Sequence, residues 1–99
     1  VSWRIRYTRA ARDDLLRLYS FLLEHDVEAA QRAMDAIDNS LVILQSFPFT
    51  CRKADPDNPF LRELLVSFGN SGYVALYEIE GDRIVTILAI RHQREDDYH

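Results

Sequence analysis

Apolar residues near the start of the chain fall at every second position, with Trp3, Ile5 and Tyr7 alternating with Arg4 and Arg6. Period two marks a strand with one buried face, so residues 3–7 predict a first strand. The period then lengthens. Ala11, Leu15, Leu18 and Leu22 recur every three or four positions behind Thr8, a capping residue, and Asp13 and Asp14 lie near the positive end of the implied helix. That helix spans residues 9–24. His25-Asp26 interrupts it, and Asp26 can cap a second helix with the stripe Ala30, Ala33, Met34, Ile37, Leu41 and Leu44, ending near Pro48. So short a connection forces an antiparallel helical hairpin whose two stripes share one layer.

Residues 47–60 carry all three prolines, Pro48, Pro56 and Pro59, together with Asp55, Asp57 and Asn58. That mixture supports turns and blocks regular structure, and it predicts a long loop. Beyond it, residues 61–68, 73–79 and 83–91 read as strands. They are separated by Gly69-Asn70-Ser71-Gly72 and Glu80-Gly81-Asp82, short glycine-bearing connections that make an antiparallel meander. The order is β-α-α-β-β-β, an α+β domain in which the helical hairpin covers one face of a small, mainly antiparallel four-stranded sheet. In residues 84–90 both alternating sets are largely apolar: Ile84, Thr86, Leu88 and Ile90 against Val85, Ile87 and Ala89. Both faces of that strand want cover, yet the helices can supply one. An open apolar face on the other side is the expectation, and such a face marks a binding surface.

Ninety-nine residues suffice for one domain, residues 1–99, and are too few for two. The single Cys51 cannot form an internal disulfide, and no Cys/His pair has zinc spacing, so neither a metal nor another cofactor is expected and a reducing cytoplasm fits. No apolar stretch approaches the roughly 18 residues of a membrane span, and the opening alternation of arginine with apolar residues is unlike a signal sequence. Net charge is −4, which argues against general nucleic-acid binding, although Arg4, Arg6, Arg9 and Arg12 gather at one end. Eleven of the twelve basic residues are arginine, a choice that suits bidentate pairing with carboxylates or phosphates at an interface.

Three segments, Leu61-Arg62-Glu63-Leu64, Gly72-Tyr73-Val74-Ala75-Leu76-Tyr77 and Ala89-Ile90-Arg91-His92-Gln93-Arg94-Glu95, resemble the RelE/ParE superfamily of bacterial toxins. The element order matches too, so the resemblance covers nearly the whole chain. It implies the toxin of a type II toxin–antitoxin pair, held inactive by an antitoxin. RelE-like members cleave messenger RNA on the ribosome with sheet lysines and arginines that hold the scissile phosphate, often assisted by a C-terminal tyrosine. Here the position of the arginine is Val74, those of the lysines are Leu65 and Ser67, and the one lysine is Lys53 in the proline-rich segment. The chain is therefore more similar to the ParE (plasmid stabilisation) branch, which implies a ParD-like antitoxin and DNA gyrase as the target, inhibited by binding. The alternatives are a ribosome-dependent ribonuclease using His92, Arg94 and Tyr98, and a non-toxic interaction module of the same fold.

The candidate contact residues for partner or target are Arg62, Tyr73, Tyr77, Arg91, His92, Arg94 and Tyr98. Tyr73 and Tyr77 share one face of their strand, and Arg62 and Arg91 have Glu63, Glu78 and the Glu95-Asp96-Asp97 run as possible ion-pair partners. The segment 91–99 holds no aliphatic side chain, so it is expected to face solvent and to be dispensable for folding.

Overall fold

The computed structural model describes residues 2–95 and 98. Strand β1 (Arg4–Tyr7) leads into helices α1 (Arg9–Leu23) and α2 (Val27–Leu41), and a 3-10 turn (Val42–Gln45) closes the second helix. Then come β2 (Arg52–Asp55), β3 (Asn58–Phe68), β4 (Ser71–Glu80) and β5 (Ile84–His92). The sheet order is β1-β5-β4-β3-β2, with β1 parallel to β5 and every other pair antiparallel. Both helices start as their caps dictate: the Thr8 hydroxyl accepts from the Ala11 N–H at 3.1 Å, and Asp26 accepts from Glu28 and Ala29 at 3.0 and 3.1 Å.

The helical hairpin buries its stripe on one sheet face. Ala11, Leu18, Ala33, Ile37, Leu41 and Leu44 meet Val66, Tyr73, Ala75, Tyr77, Ile79, Val85, Ile87 and Ile90 there, with Leu15, Leu22 and Met34 packed at the margin. No helix is long and apolar enough to cross a membrane among the described residues.

Two features differ from the sequence expectation. The proline-rich segment is largely a hairpin, so the sheet has five strands instead of four. Asp55 pairs with Asn58 across Pro56-Asp57, and Pro59, which has no N–H to give, sits beside the register shift between Lys53 and Asp55. Tyr77 ties the preceding loop down, its hydroxyl donating to the Pro48 carbonyl at 2.7 Å.

The second sheet face is open and apolar only in part. Leu76 pairs with Ala89 and Tyr77 with Ile87, which leaves Leu88 as an extra residue, a β-bulge. The bulge reverses the alternation, so Val85, Ile87 and Ile90 all reach the same core. Apolar residues in both alternating sets record that reversal rather than two buried faces. What remains opposite is modest, with Val74 and Ala89 buried, Leu76 half-buried, Leu65 exposed beside Val74, and Thr86 bonded to the Glu80 carboxylate. Arg6 closes on Glu80 at 3.5 Å, and Arg52 bonds Glu63 at 3.0 Å.

Candidate functional site

Strand β1 reaches only as far as the Tyr7–Ile87 pair, so among the described residues the outer edge of β5 beyond that point lacks a neighbouring strand. Helix α1 replaces it. The Thr8 hydroxyl lies 3.1 Å from the Leu88 carbonyl, Asp14 accepts the Ile90 N–H at 2.9 Å, and the Arg17 guanidinium reaches the Ile90 carbonyl at 3.5 Å. Asp14 is almost fully buried, and Arg17 stands 3.6 Å from its other oxygen. A buried carboxylate is tolerable on those terms, because its charge is paired and its oxygens are hydrogen-bonded.

Beside the C-terminal half of α1 lies a groove of about 600 Å³. Leu18, Phe21 and Leu22 form its helical wall, Phe68 and Tyr73 its floor, and Ser71, His92, Arg94 and Glu95 its rim. The turn that shapes its end requires glycine twice. Gly69 has φ 61°, and a Cβ on Gly72 would lie 1.9 Å from the Val66 carbonyl oxygen. Phe21 is 62% exposed, an aromatic side chain left outside the core beside an apolar floor. Burial raises the Tyr73 hydroxyl above its ordinary 10.0, so the ring is neutral at any physiological pH.

His92 stands at the rim with both nitrogens engaged. The Arg94 backbone N–H donates to Nδ1 at 3.1 Å, which makes Nδ1 an acceptor and places the proton of the neutral ring on Nε2. That Nε2–H then donates to the Ser71 Oγ at 3.0 Å. The direction is opposite to that needed for a histidine to activate a serine, and it leaves the Ser71 proton free to donate into the groove. The His92 ring packs edge-on to Tyr73, centroids 5.5 Å apart.

A belt of polar side chains runs from the rim around the second sheet face. Glu95 accepts from the His92 N–H at 3.0 Å and from Arg17 at 3.1 Å. Burial pushes its carboxyl up, but those two hydrogen bonds and the Arg17 charge outweigh this and hold it below the ordinary 4.5. Arg91 donates to the Glu95 carbonyl at 2.8 Å and lies over the Tyr98 ring at 5.0 Å. Tyr98 in turn donates to Glu63, which Arg52 also holds. Burial first, and the Glu63 carboxylate second, raise the Tyr98 hydroxyl far above its ordinary value. From Arg91 on β5 to Glu63 on β3, this tie crosses β4 at Val74 and Leu76.

Residues 5–97 match the family model described as the ParE toxin of the type II toxin–antitoxin system parDE. The chain belongs to the ParE toxin family. It is 39% identical over 85 residues to Toxin RelE3 of Caulobacter vibrioides, covering 86% of this chain and 88% of the relative. Among solved structures, the chromosomal ParDE toxin–antitoxin system of Pseudomonas aeruginosa superposes with a TM-score of 0.72 at 22% identity, over 91% of this chain and 95% of that one. The RelBE2 toxin–antitoxin complex of Mycobacterium tuberculosis gives 0.57 at 24% identity, over 94% and 100%. At those identities the likeness is one of fold.

Within this ParE-family chain the sequence candidates separate. Tyr73, His92 and Arg94 meet at the groove. Arg91 and Tyr98 belong to the belt, so the segment after β5 is not wholly free in solvent as expected; Asp96, Asp97 and His99 lie outside the described residues. Tyr77 is fully buried and therefore no contact residue. Arg62 is drawn away as well. Its guanidinium donates to the carbonyls of Pro59, Cys51 and Phe49 at 2.7, 2.8 and 3.1 Å, stapling the β2–β3 hairpin to the preceding loop, and among the described residues it pairs with none of the acids proposed for it. Missing from the sequence candidates were Asp14, Arg17, Phe21, Ser71 and Glu95. Phe21 alone had a legible signal, an aromatic residue beside the α1 stripe. Among the described residues no cluster of His, Cys, Asp or Glu could hold a metal ion.

Proposed function

We propose that this toxin acts by binding DNA gyrase, and that a ParD-like antitoxin silences it by laying an amphipathic segment into the groove beside α1. The observation that carries a binding mechanism is the state of the groups a ribonuclease would need. His92 already receives one proton donor and gives its own proton to Ser71. Arg91 and Tyr98 are tied to each other and to Glu63. The strand positions that would grip a scissile phosphate are Leu65, Ser67 and Val74. Without a cluster of preorganised cations only the exposed Arg94 at the rim is left to stabilise the charge of a pentavalent phosphate. The antitoxin reading draws on the two toxin–antitoxin systems of the same fold and on the exposed apolar wall of the groove.

The similarity to a toxin named RelE3 favours the ribonuclease as a second reading. Two assays divide them. Purified toxin is expected to inhibit supercoiling by gyrase and to leave ribosome-bound messenger RNA intact in toeprinting. Codon-periodic cleavage that disappears in His92→Ala or Arg94→Ala would reverse the assignment. An antitoxin peptide that fails to protect Phe21 from solvent would remove the groove from it.

A further inference from the structure

Four of the twelve basic residues fall within the first twelve positions, a stretch that contains no acid, whereas the remainder of the chain is strongly acidic. The fold gathers them. Arg4 and Arg6 project from the same side of β1, two residues and therefore about 6.6 Å apart, because a strand advances about 3.3 Å per residue. Arg9 and Arg12 follow one turn apart at the start of α1. Arg4, Arg6 and Arg12 line a cleft of about 390 Å³ over Ile5, Tyr7 and Ile84.

Three properties give this cleft a chemistry. All four arginines are exposed, and among the described residues Arg4, Arg9 and Arg12 make no ion pair, while Arg6 has Glu80 at 3.5 Å. Arg9 and Arg12 also stand at the end of α1 where the helix dipole is already positive, and the first turn holds no acid to relieve them. Cations kept where the local field opposes them are a departure from local stability, and such departures gather at functional sites. Finally, among the described residues none of the large exposed hydrophobic side chains lines this cleft, and its apolar floor is only the half-buried Ile5, Tyr7 and Ile84. A protein partner draws its affinity from a larger desolvated centre than that; a phosphate backbone needs only a row of accessible cations.

We propose that Arg4, Arg6, Arg9 and Arg12 form a phosphodiester-binding edge that grips the backbone of a nucleic-acid duplex without reading its sequence. The net acidic charge does not prevent this, since salt screens charge beyond about 8–10 Å; the acids that reach the cleft are Glu80, 3.5 Å from Arg6, and Asp38, whose charge acts on Tyr7. The edge acts independently of the toxin's protein target.

The test is fluorescence anisotropy of the intact toxin with short random-sequence duplexes of DNA and of RNA, titrated from about 50 to 200 mM salt. Four phosphate contacts predict a slope of log affinity against log salt of roughly −3 to −4 for DNA. In Arg4→Gln/Arg9→Gln/Arg12→Gln the slope falls to about −1 and affinity at low salt drops by roughly tenfold or more. Arg32→Gln on α2 leaves both unchanged. A stronger signal on DNA assigns the edge to DNA, and a stronger one on RNA to RNA. If the triple variant fails to give a cooperative melt, Arg4→Gln and Arg12→Gln separately must each reduce the slope by about 1. Absence of binding at low salt, an unchanged slope in the variants, or tighter binding of polyglutamate than of either duplex overturns the proposal.

Discussion

The two halves of α1 face different chemistry. Its first turns carry Arg12 into a solvated cleft and leave Arg9 exposed nearby, neither with an ion-pair partner among the described residues, whereas its second half presents Leu18, Phe21 and Leu22 to a groove whose polar rim is largely bonded within itself. At the rim Arg17 meets Asp14 and Glu95, and His92 meets Ser71. An exposed guanidinium is content in water and acts over a Debye length; an exposed phenyl ring is not, and acts only on contact. The same helix thus offers one surface that attracts at a distance and one that must be covered. Asp14, between them, anchors the helix to the sheet.

The anchor is where this division is most easily broken. Asp14→Ala strands the Ile90 N–H and leaves Arg17 with Glu95 alone, and a loss of about 2–3 kcal/mol is expected in urea unfolding. A loss below about 0.5 kcal/mol would mean that α1 is held by its apolar stripe alone.

The belt across the second sheet face comes next. Tyr98→Ala removes the tie across Val74 and Leu76 and should cost about 1–2 kcal/mol. The hydroxyl's share has a pH signature. A raised folded value means a contribution fully present below the ordinary 10.0 and lost as pH rises beyond it, so the advantage of wild type over Tyr98→Phe should shrink in alkaline melts. An advantage that stays constant through that range would remove Tyr98 from the belt.

The smallest effect has the opposite sign. Arg9→Glu places an acid at the positive end of α1 and is expected to stabilise the fold by about 0.3–1 kcal/mol while weakening duplex binding. If it destabilises, the arginine contributes a contact that its exposure conceals.

Helix caps, stripes and the β3–β4–β5 meander were all legible, because each rests on local chemistry: Thr8 and Asp26 at the caps, Ala30 to Leu44 along one face, glycines in the turns. Strand β2 was hidden because Pro56 and Pro59 count against a strand, and nothing local says that one is a turn residue and the other sits beside a bulge. The bulge at Leu88 had left its mark on residues 84–90, but two apolar alternations also describe a strand buried on both faces. Most of the groove depends on contacts between residues far apart. Asp14 read as a partner for the helix dipole until its Ile90 contact, 76 positions away, was visible. Arg62 and Tyr98 read as surface groups because sequence spacing carries no trace of the carbonyls and the carboxylate that claim them.

The parallel pairing of β1 with β5 has a consequence for how the protein is made. Arg4 lies opposite Ile84, so β1 is synthesised 80 residues before its partner. At about 5–20 residues per second, the delay is on the order of 4–16 s. Through that interval α1 has no Ile90 to anchor to, the groove has no His92, and the arginine cleft has no Ile84 beneath it. Both surfaces arise in one late event, the insertion of β5 between β1 and β4. A ribosome-bound chain that stops short of β5 therefore displays neither, and a cognate antitoxin translated alongside it has those seconds in which to accumulate.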